Sequence, residues 1–94
     1  MIKIYQVEYT EPYGETDISL ELFTDRETAI MYAKSYVKYE IDNKYLTDEV
    51  DIQELDGGYF TSVVRKKGFE NGYIFAIEVH EKKVYDNLIE VING

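Results

Sequence analysis

Apolar positions along this chain follow two different periods. Residues 2–9 (Ile-Lys-Ile-Tyr-Gln-Val-Glu-Tyr) are β-branched and aromatic, the composition of a strand. Ile2 and Ile4 lie on one face and Tyr5, Val7 and Tyr9 on the other. Apolar groups on both sides place this strand inside a sheet. Pro12 and Gly14 mark a turn between Thr10 and Asp17. Residues 18–23 alternate, with Ile18, Leu20 and Leu22 on one side and Ser19 and Glu21 on the other. The two strands read as a hairpin.

The period then changes. Thr24-Asp25-Arg26-Glu27 fits a capping box, with Thr24 at N-cap and Glu27 three residues on. A helix is predicted over about 25–42. Ile30, Ala33, Val37 and Ile41 form its buried stripe, and Ala29, Tyr32 and Tyr36 widen it. Glu27, Lys34 and Lys38 fall on the opposite side.

Strand patterns return after a polar stretch. Val50, Ile52 and Leu55 predict a third strand, and Asp56-Gly57-Gly58 a hairpin turn. Tyr59–Arg65 reads as strand four, and residues 66–72, with two glycines, as a turn. Tyr73–Val79 is strand five, with Tyr73, Phe75, Ile77 and Val79 on one face. Val84, Leu88, Ile89 and Ile92 suit a short helix or a strand. The order is ββαβββ plus a C-terminal helix or strand. It predicts one α+β domain: an antiparallel sheet of about five strands with one amphipathic helix packed on one face.

Composition narrows the function. Ten Lys and Arg stand against 19 Asp and Glu, a net charge of −9 at pH 7. That argues against direct nucleic-acid binding and against docking on anionic lipid. The absence of cysteine excludes disulfides, thiolate metal sites and a cysteine nucleophile. No leader pattern follows Met1 and no stretch is apolar enough to span a membrane, so a cytoplasmic location is expected.

The charge is unevenly distributed. Residues 1–23 carry Lys3 against Glu8, Glu11, Glu15, Asp17 and Glu21, a net −4. Residues 24–44 balance. Residues 45–56 carry Asp48, Glu49, Asp51, Glu54 and Asp56 with no cation, a net −5. Carboxylates on one face of a strand repeat every 6.6–6.8 Å or so, a spacing that resembles a row of phosphates. A basic groove built for nucleic acid would be steered onto such a row. The competing account is an ordinary solvated acidic surface.

Ten tyrosines add large amphipathic contact area. Tyr13 lies in the acidic turn, Tyr45 precedes the acidic run and Tyr59 adjoins the Gly-Gly turn, so these three are the candidate interface anchors. Tyr32 and Tyr36 are expected to cover the core instead.

Catalytic patterns are missing. His80 is the only histidine, and on strand five it shares a face with Glu78, two ligands where a metal needs more. Asp48–Asp56 does not fit a calcium-binding loop, and neither a phosphate-binding loop nor a nucleophile elbow is present. No enzyme activity, cofactor or metal is expected.

Tyr13-Gly14-Glu15 followed by Leu22-Phe23-Thr24-Asp25-Arg26-Glu27-Thr28-Ala29 resembles the hairpin-to-helix junction of small proteins from bacteriophages and low-GC bacteria. In size, acidity and lack of catalytic residues the chain is similar in type to phage-encoded host-defence inhibitors such as anti-CRISPR proteins and nucleic-acid mimics. The resemblance implies a non-enzymatic inhibitor of a basic, nucleic-acid-handling protein. The partner-binding residues would be Glu8, Glu11, Tyr13, Glu15, Asp17, Glu21, Tyr45, Asp48, Glu49, Asp51, Glu54, Asp56 and Tyr59. The alternatives are a toxin-neutralising immunity protein, and a structural phage protein forming homo-oligomers through an edge strand such as a C-terminal one.

Overall fold

A computed structural model describes residues 2–12, 18–45, 47–69 and 71–84. Five strands and one long helix follow in order: β1 (Ile2–Thr10), β2 (Ile18–Phe23), α1 (Arg26–Lys44), β3 (Val50–Gly57), β4 (Tyr59–Lys66) and β5 (Phe75–Val84). One 3-10 turn, Thr47–Glu49, leads into β3. The strands form a single sheet in the order β2-β1-β5-β4-β3, every pair antiparallel. This is the expected α+β fold, with α1 packed on one face.

The helix buries the predicted stripe. Ala29, Ile30, Ala33, Val37 and Ile41 meet Val7 of β1, Phe60 and Val64 of β4, and Phe75, Ile77 and Val79 of β5. Tyr32 and Tyr36 pack against this core as partly buried rings. Glu40 is buried as well, its carboxylate 2.9 Å from Lys44 one turn on. Glu40 also raises the Tyr36 hydroxyl above its ordinary pKa, although burial of the phenol is the larger cause.

Three details differ from the sequence reading. First, the helix is capped by Asp25, not Thr24, so the box is displaced by one residue. Asp25 Oδ2 accepts from both the Thr28 amide (2.8 Å) and the Thr28 hydroxyl (2.7 Å). These bonds hold the Asp25 carboxyl below its ordinary value of 3.8. A depressed folded-state pKa means stability that is present above 3.8 and is lost as pH falls through the folded value. Asp25→Ala is therefore expected to lower the melting temperature at pH 7 more than Thr24→Ala. The difference between the two variants should shrink on acidification towards pH 3 or so, as thermal unfolding by circular dichroism would show.

Second, the register of β1 with β2 steps by one between Val7 and Glu8, leaving Leu20 without a Cα partner. Such a bulge breaks the period-2 alternation. Leu20 packs against the core, whereas Ile18 and Leu22 are about half exposed at 52% and 53%. Third, β5 runs to Val84, past the predicted end at Val79, through the polar run His80-Glu81-Lys82-Lys83. It does so because β1 pairs with it along its whole length, from Thr10↔Ala76 to Ile2↔Val84. Gly58, at φ +96°, closes the predicted β3–β4 hairpin in a conformation that favours glycine. The C-terminal element predicted within 84–92 falls almost entirely outside the described residues.

Candidate functional site

The described carboxylates of the two acidic blocks lie towards opposite edges of the sheet. The first is carried by β1 and β2, the second by β3 and the turn before it. β2 and β3 stand four strand spacings apart, about 19 Å, well beyond a Debye length of about 8 Å at physiological salt. The blocks therefore do not join into one continuous row, and each must be considered by itself.

In the first block Glu8 is engaged on the sheet face away from the helix. Its carboxylate is 3.7 Å from Lys82 Nζ and 3.9 Å from His80 Nε2, and its side chain is largely covered. Glu78 lies directly across from it in the β1–β5 register, 3.6 Å from the same His80 nitrogen. Two carboxylates paired across strands repel, and Lys82 sits where it offsets that repulsion at Glu8. Glu11 accepts a 2.7 Å hydrogen bond from the Tyr9 hydroxyl. Burial first, and Glu11 second, push the Tyr9 phenol well above its ordinary range. Glu21 is exposed. Tyr13, Glu15 and Asp17 lie outside the described residues.

The second block divides by strand parity. Ile52, Glu54 and Asp56 occupy the helix side of β3, in register with Val64, Ser62 and Phe60. The two carboxylates on that side are engaged by helix cations: Lys34 Nζ is 3.6 Å from Glu54, and the Arg26 guanidinium donates to Asp56. Asp51, with Gln53 and Leu55, takes the other parity. Asp48 and Glu49 are exposed in the 3-10 turn, which the Lys67 amide ties to the following hairpin by donating to the Glu49 carbonyl at 2.8 Å. Among the described residues, Asp48, Glu49 and Asp51 have no ion-pair partner.

Of the tyrosines, Tyr59 is 43% exposed and stacks on His80 with ring centroids 4.4 Å apart. The charge of Glu78, and a hydrogen bond to it, raise its phenol above the ordinary value. Tyr45 packs against the core, its ring stacked on Phe75 at 6.0 Å.

The sequence reading did not single out Ile52 as part of the site, nor the helix residues beside it. α1 lies over the other four strands and leaves the helix side of β3 largely uncovered, so Ile52 is 51% exposed; Leu55, on the opposite face, is 49% exposed. Between α1 and β3 an apolar recess of about 340 Å³ is lined by Lys38, Ile41, Asp42, Val50 and Ile52. No local sequence signal marks this gap, because it depends on where the helix crosses the sheet. No group of three or more potential metal ligands is found among the described residues, and none of their helices is long and apolar enough to cross a membrane. Comparison with protein-family models, curated proteins and solved structures finds no match to this chain.

Proposed function

We propose that this protein is a non-enzymatic inhibitor that docks, in the cytoplasm, on a basic surface of a nucleic-acid-handling protein, using the β3 edge. The observation that carries this reading is the coincidence of three exposed carboxylates with no ion-pair partner among the described residues, Asp48 and Glu49 in the 3-10 turn and Asp51 on β3, with half-exposed Ile52 and Leu55 on the same edge strand. Exposed charge steers encounter, while apolar area beside it supplies lifetime. Glu54 and Asp56 are held by the helix and act there as structural ion pairs. Steering by a compact acidic edge therefore accounts for the geometry better than imitation of a long row of phosphates. Tyr59, exposed at the hairpin end of the same region, remains an anchor, whereas Tyr45 serves the core.

The test is capture from a lysate of the cells that encode the protein, run beside the variant D48N/E49Q/D51N. A basic nucleic-acid-handling partner should be retained by the wild type, lost by the variant, and released by both salt and competing duplex DNA. Equal capture by both proteins would overturn the reading. So would recovery of the bait as an oligomer of itself with no partner, which would favour the self-associating alternative.

A further inference from the structure

We infer that the edge of β3, which no described strand covers, takes up an extended basic segment of the partner as a sixth strand of the sheet. This rests on the acidic-edge reading above and adds to it the manner of binding. β3 pairs with β4 over its full length, from Val50↔Lys66 to Gly57↔Tyr59, without a bulge. Among the described residues its other edge is the sheet boundary. An edge of eight residues offers about four outward backbone positions, each with a donor and an acceptor. Natural sheets usually blunt such an edge with proline, lysine, a bulge or a covering element. β3 has no proline, lysine or bulge. Its charged side chains, Asp51, Glu54 and Asp56, are all acidic and so deter a like strand but not a basic one. α1 reaches it through the Arg26 and Lys34 side chains rather than by lying over it.

The chemistry of the flanks selects the occupant. On the helix side an added strand would meet Ile52 and the apolar recess beside Ile41 and Val50. On the other side it would meet Asp51, with Asp48 and Glu49 at the end of the edge. The complement is a strand whose apolar residues alternate with lysine or arginine. A second copy of this chain is disfavoured, because pairing β3 with itself would bring Asp51, Glu54 and Asp56 against the same carboxylates. Backbone pairing would supply affinity, and the alternating side chains specificity.

The probe is a synthetic seven-residue peptide in which lysine alternates with valine and isoleucine. Its binding is followed by fluorescence anisotropy and by amide hydrogen exchange of the protein. With free peptide at ten times Kd, alternate amides of residues 50–57 should exchange about tenfold more slowly. Ile52→Lys, a change at a half-exposed position, should weaken binding about fivefold while β4 exchange in the free protein stays the same. Peptide binding that leaves β3 exchange unchanged would overturn strand addition, as would no binding at all. A free protein that dimerises through β3, seen as doubled mass in light scattering and protected β3 amides, would overturn it too. Capture of a basic partner that needs Asp48, Glu49 and Asp51 but leaves β3 amides unprotected would remove strand addition and keep the acidic-edge reading. Loss of that charge dependence would remove both.

Discussion

Phe75→Ala should destabilise the protein by about 3–5 kcal/mol, because it empties the centre of the only core the described residues form. Phe75 is fully buried at the start of the central strand. Its ring stacks between Tyr9, at 5.4 Å, and Tyr45, at 6.0 Å. Removing it costs the transfer free energy of the ring and leaves a cavity that two half-buried tyrosines only partly fill. Total stability for a chain of this size is about 5–15 kcal/mol, so about a fifth or more of it is at stake. Urea unfolding should show a large fall in the midpoint with little change in slope. Phe75→Leu, which keeps most of the volume, should cost under about 1.5 kcal/mol. A loss below about 1 kcal/mol for Phe75→Ala would mean that the two tyrosines do not rest on this ring.

Neutralising Asp48, Glu49 and Asp51 together is expected to slow association with a basic partner about tenfold or more at low ionic strength. These carboxylates are exposed and lack described ion-pair partners, so their field extends into solvent. The same change at Glu54 and Asp56 should act mainly on stability, because it releases Lys34 and Arg26 of the helix. Stopped-flow association across a salt series separates the two cases. The triple variant should flatten the salt dependence and leave the dissociation rate nearly unchanged. An association rate indifferent to the triple change would remove the steering role of this edge.

The contrast between those two carboxylate sets shows what could be read from the chain alone. Helical spacing of Ile30, Ala33, Val37 and Ile41 predicted the buried stripe correctly, because a helix places its own neighbours within a few residues. The strand pattern of β5 and the glycines of the β3–β4 turn were equally local. The cap was misplaced by one residue because Thr24 and Asp25 are both good caps, and only the bonds to Thr28 distinguish them.

The remaining features depended on partners far away in the chain. The bulge at Leu20 is a property of the β1–β2 register. The extension of β5 through His80–Lys83 needs β1 alongside it. Tyr45 packs against the core as a partly buried ring because it reaches Phe75. Hydrophobic periodicity and turn chemistry were sufficient for the elements, the fold class and the existence of two acidic blocks, since each is set by residues adjacent in sequence. Strand order and the path of α1 over the sheet put the described carboxylates of those blocks towards opposite edges, tied Glu54 and Asp56 to the helix and left Asp48, Glu49, Asp51 and Ile52 available. Those outcomes rest on packing between residues tens of positions apart, which local pattern does not encode.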